Sequence, residues 1–158
     1  MAFTEIIKNL FANLLFLCPL VSLVTAQLIK GIIYLINNRK KNNPKELFQI
    51  VTWGTGGMPS SHSALVCSLC TSAAFEKGID SDIFAVSLWF TIVVLRDALG
   101  VRRSAGQMAK ALNNLGKHTV SKIGGDFTVV KEILGHTPVE VTVGGTLGFI
   151  IAIVFQYL

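Results

Sequence analysis

Long apolar runs, separated by short polar segments, make up most of the chain. A helix that crosses a membrane needs about 20 largely apolar residues. Four runs approach that length, and we expect them to be membrane spans: Leu10–Ile36, Ser61–Phe75, Ile83–Leu99 and Val139–Leu158. The second run is short and would need tilting or a locally thinner bilayer. The pattern predicts an all-α integral membrane bundle of about four spans, with a break near Pro19 as an option in the first run.

Composition supports the membrane interpretation. The 158 residues are 51% hydrophobic and only 15% charged, whereas about a quarter of the residues in a soluble domain are charged. The length suits a single membrane-embedded domain, residues 1–158, and no linker or repeat divides it. The three cysteines Cys18, Cys67 and Cys70 are odd in number and lie in apolar runs. We therefore expect them to pack in the core rather than to form a disulfide framework.

Basic residues are concentrated in two long segments, 37–60 and 100–137, which the four-span arrangement places on one side of the membrane. The opposite side has little more than Lys8 and Lys77. Because cytoplasmic loops carry an excess of Lys and Arg, we expect a multi-pass protein with these segments in the cytoplasm. The expected partner is the lipid bilayer. Nucleic acid is not expected because the basic run Arg39–Lys45 lacks aromatic platforms. Homo-oligomerisation stays open.

The segment 102–117 has apolar residues at spacings of three and four, which predicts an amphipathic helix. The residues concerned are Ala105, Met108, Ala109, Leu112 and Leu115. Such a helix could lie at the cytoplasmic membrane interface, although the same spacing fits an ordinary surface helix.

Four polar residues lie at those ends of the predicted spans that face the same side of the membrane. Lys30 lies near the cytoplasmic end of the first span, His62 begins the second, Asp97 ends the third and His136 precedes the fourth. Charged and histidine side chains next to apolar spans are costly, so their convergence from distant parts of the sequence indicates a functional site.

Two of these positions have a local pattern that suggests phosphate chemistry. The segment 56–63 combines two glycines, Pro59 and the serines Ser60 and Ser61, as at a helix start whose backbone N–H groups favour an anion. An ordinary capped helix start is the alternative. If the last helix starts near Pro138, Glu140 lies about one turn from His136 and could accept its ring N–H, which leaves the other nitrogen nucleophilic.

These motifs resemble those of the type-2 phosphatidic acid phosphatase superfamily. Pro59–His62 is similar to its Pro-Ser-Gly-His motif, and Gly135–Val141 is similar to its Gly-x-His-x-Pro-x-Asp-Val segment. Further segments resemble a divergent small branch of the superfamily: Gln27-x-x-Lys30, Asp97–Arg103, Ala105–Gln107 and Leu112-Asn113. The resemblance covers most of the chain.

The resemblance implies a metal-independent hydrolase that removes phosphate from a membrane lipid phosphate and needs no cofactor. It implies that His136 attacks phosphorus, Glu140 orients it in place of the usual Asp, and His62 protonates the departing oxygen. The residues expected to bind the phosphate are Lys30, Ser60, Ser61, Arg102 and Arg103. Gln27 and Asp97 are expected to support them, although Asp97 has no place in the superfamily's usual scheme. Together with the apolar runs and the loop charge, we expect an all-α bundle with its site towards the cytoplasmic face.

The chain also departs from the superfamily pattern. Asn37 and Asn38 stand where the first motif has Arg-Pro, and Val130 stands near the Ser-Arg position before the nucleophile. Arg102 or Arg103 would have to replace that arginine. Asp97 could pair with one of them, or it could bind magnesium with Asp126 and Glu140. These departures keep open an alternative function, a non-catalytic membrane protein that binds or translocates an anionic lipid.

Overall fold

In the computed structural model the chain forms a bundle of α-helices, as its apolar runs predict. The structure describes residues 3–37, 44, 47–48, 51, 57–130 and 136–158. Within these ranges six helices have defined bounds: α1 (Phe3–Ala12), α2 (Leu14–Asn37), α3 (Ser61–Lys77), α4 (Asp82–Leu99), α5 (Val101–Ile123) and α6 (Pro138–Tyr157). The described residues contain no strand, and the all-α fold class is confirmed.

Three helical runs in the described part of the chain are long and apolar enough to cross a membrane. They are Leu14–Asn37, Asp82–Ile123, in which α4 is the apolar part, and Pro138–Tyr157. The remaining expected span corresponds to α3, which has 17 residues and is shorter than the roughly 20 that a span needs. Because α3 contacts α2, α4 and α6, it lies among the apolar helices, and a bundle of about four spans agrees with the structure.

Small side chains allow α3 to contact three neighbouring helices. Its buried residues are Ser61, Ser63, Ala64, Val66, Ser68, Ser72 and Ala73. In a lipid environment helices associate through close packing, and small residues let their backbones approach one another. The composition that makes α3 a weak candidate for a lipid-facing span thus suits it to the centre of the bundle.

Two glycines bring α6 against α3. A Cβ atom at Gly144 would collide with the backbone oxygen of Ser60, and one at Gly148 would collide with that of Ala64. Position 144 therefore faces position 60 and position 148 faces position 64, so that the two helices run parallel. The spacing of four residues between Gly144 and Gly148 permits this close packing of the two helices.

The long first apolar run is interrupted at Asn13 rather than at Pro19. Helix α1 ends at Ala12 and α2 continues through Pro19. The Asn13 side-chain oxygen accepts a hydrogen bond of 2.9 Å from the Leu15 N–H, which satisfies one of the unpaired donors at the start of α2. The optional kink near Pro19 does not divide the helix, because the division of this run lies at Asn13.

Helix α5 confirms the amphipathic helix predicted for 102–117 and is longer, Val101–Ile123. Met108, Leu112 and Leu115 are exposed on it, whereas Asn113 is buried. A position of α5 at the membrane interface stays a prediction. The three cysteines are free; Cys18 is buried as expected, whereas Cys67 and Cys70 are only half-buried.

Candidate active site at one end of the bundle

Three helix ends meet at one end of the bundle. The Lys30 ammonium, near the C-terminal end of α2, donates to the Ser61 hydroxyl over 3.4 Å. The Ser60 N–H, which precedes α3, donates to the Glu140 carbonyl in the first turn of α6 over 3.0 Å. These contacts join residues that are 31 and 80 positions apart in the sequence, as the four-span arrangement predicts.

The start of α3 is held by a small hydroxyl cluster. Ser60 is the N-cap residue, and its side-chain oxygen accepts from the Ser63 N–H at 3.3 Å. The Ser63 hydroxyl donates to the same oxygen over 2.9 Å, and both serines are fully buried. Gly57 enters this turn with a φ of 79°, a conformation that side chains disfavour. The positive end of the α3 dipole is therefore rigidly placed next to Lys30, where an anion would be favoured.

The start of α6 is held by a capping box. The Thr137 side chain accepts from the Glu140 N–H at 3.3 Å, and the Glu140 carboxylate accepts from the Thr137 N–H at 3.0 Å. Such reciprocal bonds satisfy two donors that would otherwise be unpaired at the helix end. The box also fixes the direction of the Glu140 side chain.

The same carboxylate oxygen holds His136. Oε2 of Glu140 lies 3.0 Å from Nδ1 of His136, and the histidine is 5% exposed. An ionised carboxylate can only accept hydrogen bonds, so Nδ1 must carry the proton. The lone pair of the neutral ring then lies on Nε2. The contact expected between His136 and Glu140 is present.

Lys30 supplies a buried positive charge to this end of the bundle. Its side chain is 4% exposed, and the ammonium interacts electrostatically with the Glu140 carboxylate. A buried cation is costly unless opposite charge and hydrogen bonds compensate it. Glu140 and Ser61 provide that compensation, and together with His136 they form a group that combines an imidazole, a carboxylate bound to it and a cation.

The other predicted site residues lie on α2, α3, α4 and α5. His62 follows buried Ser61 and is exposed in the first turn of α3, while Asp97 is half-buried near the end of α4. Gln27 lies one turn before Lys30, and its buried side-chain oxygen has no hydrogen-bond partner among the described residues.

Arg102 and Arg103 lie in the first turn of α5, but their side chains are outside the described part of the structure. Their phosphate-binding role and a pairing with Asp97 stay predictions.

Carboxylates for a magnesium site do not converge in the described ranges. No group of three or more His, Cys, Asp or Glu side chains there is arranged as a metal site requires. Asp97, Asp126 and Glu140 all belong to the described ranges and form no such group. The magnesium alternative therefore gains no support from the geometry.

Two features of the site were not predicted from the sequence. One is the hydroxyl cluster of Ser60 and Ser63, for which the spacing of three residues at a helix start was an available signal. The other is the shared use of one Glu140 oxygen by the capping box and by His136, which the Thr137-x-x-Glu140 spacing could have indicated.

Comparison with known proteins agrees with the membrane-protein interpretation. The chain is 40% identical over 160 residues to the uncharacterized membrane protein YuiD of Bacillus subtilis (strain 168), a match that covers 94% of this chain and 98% of the relative. No solved structure matches the chain significantly. Residues 11–151 match the family described as the Divergent PAP2 family. The chain is therefore a membrane protein that belongs to the Divergent PAP2 family.

Proposed function

We propose that this protein is a phosphatase that hydrolyses a membrane lipid phosphate through a phosphohistidine formed on His136. The observation that supports this most strongly is the partly buried contact of 3.0 Å between His136 and Glu140, whose carboxylate also interacts electrostatically with the buried ammonium of Lys30. A histidine that only packed in a core would not need an orienting carboxylate and a neighbouring cation.

In the first step Nε2 of His136 forms a bond to phosphorus while the bond between phosphorus and the ester oxygen breaks. The departing alcohol oxygen takes a proton from His62. Lys30 and the N-terminal end of α3 stabilise the charge on the non-bridging oxygens. Since Nδ1 keeps its proton, the phosphorylated ring is cationic, and the Glu140 carboxylate stabilises it.

In the second step water attacks phosphorus and the bond from phosphorus to Nε2 breaks. His62, now neutral, accepts the proton of the attacking water, so that free phosphate leaves and both histidines return to their initial states. The exposed position of His62 is suited to proton exchange with solvent. None of these steps uses a metal ion.

A lipid substrate is favoured because the site lies at one end of a bundle of apolar helices. An amphiphile could enter laterally with its phosphate at head-group depth and its chains among lipids. Phosphatidic acid, phosphatidylglycerophosphate and polyprenyl phosphates or diphosphates all fit this description. The excess of Lys and Arg in segments 37–60 and 100–137 supports a site in the cytoplasmic leaflet, by the positive-inside rule.

Phosphate release by the purified protein from a panel of lipid and soluble phosphates, with and without a chelator, tests the proposal. We expect turnover of lipid phosphates that is inhibited by vanadate, persists with chelator and falls at least about a thousandfold in His136→Ala. The control is His118→Ala, which removes an exposed histidine of α5. Full activity in His136→Ala would refute the proposal. Binding of lipid phosphate without turnover would instead favour the non-catalytic alternative.

The acid role of His62 has its own test. General acids typically contribute about 10²–10⁴-fold to a rate, but only when the leaving group needs a proton. His62→Ala should therefore lose that factor with an alkyl phosphate and much less with p-nitrophenyl phosphate, whose leaving group departs as an anion. An equal loss with both substrates would exclude His62 as the acid.

A further inference from the structure

Helix α5 leaves the bundle at the end where the candidate site lies. Helices α3 and α4 are joined by the short segment 78–81 and contact each other, so they run antiparallel and α4 ends near the start of α3. Helix α5 begins at Val101, two positions after the end of α4. Among the described helices it contacts only α4. Most of its surface is therefore available for contact with a membrane face or a partner.

One side of α5 is apolar and exposed. Met108, Leu112 and Leu115 follow one another at spacings of four and three residues, which places them on one face of a helix. Their exposed fractions lie between 49% and 70%. Contiguous exposed apolar surface of this kind marks a site of contact with a protein or a membrane.

The segment after α5 lies along the helix and adds apolar surface. The side chain of Asn113 donates to the Val130 carbonyl and accepts from the Val130 N–H, each at 2.8 Å. The Phe127 ring lies so close to Gly116 that a Cβ atom there would collide with it. The segment is thus attached to α5 at two points, and it brings the exposed side chains of Val129 and Val130 next to the helix.

The charge of α5 has one sign. The helix contains five basic residues and no acidic one: Arg102, Arg103, Lys110, Lys117 and Lys122. Lys110 and Lys117 are exposed, and each is two positions from Leu112 or Leu115, which is about 200° around a helix. These two lysines therefore lie opposite the apolar side. Five charges exclude α5 from the hydrocarbon core, whereas a basic face opposite an apolar one is typical of helices that lie on anionic membranes.

Helix α1 provides a comparison at the opposite end of the bundle, since it precedes α2, whose far end carries Lys30. Its charged residues, Glu5 and Lys8, balance each other. It also has exposed apolar side chains: Phe3, Ile6, Ile7 and Leu10. Apolar surface is thus exposed at both ends, but helical surface with uncompensated positive charge adjoins the site end. The partner of α5 must therefore be anionic as well as apolar, as the cytoplasmic leaflet is.

We propose that α5 and the segment attached to it, residues 101–130, dock on an anionic lipid leaflet. The apolar side enters the boundary between head groups and acyl chains, and the basic residues interact with the lipid phosphates. A second copy of the chain is a poorer partner, because two basic faces would repel each other. The inference goes beyond the proposed phosphatase function and does not depend on catalysis.

The test places one tryptophan on either side of α5 in the full chain without its native ones, Trp53→Phe/Trp89→Phe. Leu112→Trp reports on the apolar side and Asn114→Trp, the matched control, on the opposite side. The protein is reconstituted in phosphatidylcholine vesicles with brominated acyl chains, with and without phosphatidylglycerol. With phosphatidylglycerol, we expect Leu112→Trp to be quenched and its emission to shift to shorter wavelength. Asn114→Trp should change in neither respect.

Removal of positive charge should reverse the docking. Each basic residue near an anionic surface contributes about a fivefold factor, so Lys110→Gln/Lys117→Gln/Lys122→Gln should lower the ratio of docked to undocked α5 about 100-fold. Quenching of the tryptophan on the apolar side should fall accordingly, and high salt should weaken it in the unsubstituted helix. Lys8→Gln/Lys77→Gln, which removes lysines at the opposite end of the bundle, should leave the quenching unchanged.

Equal quenching of Leu112→Trp in vesicles with and without phosphatidylglycerol would overturn the proposal, as would equal quenching of Leu112→Trp and Asn114→Trp. A blue shift in neutral detergent that grows with protein concentration would show instead that a second copy covers α5. If Leu112→Trp does not fold, Met108→Trp replaces it, because that side chain is 70% exposed. None of these measurements needs phosphate release, so failure of the phosphatase proposal leaves them decisive.

Discussion

Replacement of Glu140 by glutamine separates the charge of this side chain from its shape. In the structure one carboxylate oxygen accepts from the Thr137 N–H and from Nδ1 of His136, each at 3.0 Å. An amide oxygen can accept both bonds, and glutamine is a standard residue at this position of a capping box. Glu140→Gln should therefore keep the helix start and the ring orientation, while it removes the negative charge.

The expected loss follows from what that charge does. A hydrogen bond that involves a charged group contributes about 1.5–3 kcal/mol, and the carboxylate is needed most when the phosphorylated His136 ring is cationic. At 1.36 kcal/mol per factor of ten in rate, Glu140→Gln should lower kcat by about 10- to 150-fold. KM should change little because Lys30, which interacts with Glu140, keeps its positive charge for the substrate phosphate.

The assay is steady-state phosphate release from a lipid phosphate in detergent micelles, with trapping of the acid-labile phosphoenzyme. Glu76→Gln is the matched control, because this exposed glutamate lies at the other end of α3. The melting temperature should stay that of the wild type in both variants. Wild-type kcat in Glu140→Gln would refute the electrostatic role of Glu140. A large fall in melting temperature would show instead that its main contribution is structural.

Three further predictions follow from packing and charge. Gly148→Ala should lower the free energy of unfolding in detergent by about 1–3 kcal/mol, because the new methyl group meets the Ala64 carbonyl. Gly145→Ala should lower it less, because the Cβ atom there would meet only the Cys67 side chain. Equal melting temperatures of the two variants would contradict this prediction. Lys30→Gln should reduce kcat/KM by about 100-fold through loss of a charge-assisted contact with phosphate, and phosphate-release kinetics that match the wild type would exclude Lys30 from the site. Thr137→Ala should cost about 1 kcal/mol of stability through loss of the N-cap, and Thr137→Ser should restore the melting temperature if the hydroxyl is responsible.

The positions of the helices were predictable because hydrophobicity is a local property of the sequence. The expected run Ile83–Leu99 corresponds to α4, Asp82–Leu99, and Val139–Leu158 corresponds to α6, Pro138–Tyr157. The break in the first run was not predictable in the same way. Pro19 is a general signal for a break, but the interruption lies at Asn13, whose side chain caps the following helix.

The sequence by itself determined which residues can do chemistry and at which helix ends they lie. Spacing alone predicted the contact of His136 with Glu140, because residues four positions apart at a helix start are neighbours in any fold. Only the tertiary structure decided that Lys30 is buried against Ser61 and that Asn113 binds Val130. Those contacts join segments distant along the chain, and their geometry depends on how closely whole helices pack, which no local pattern specifies.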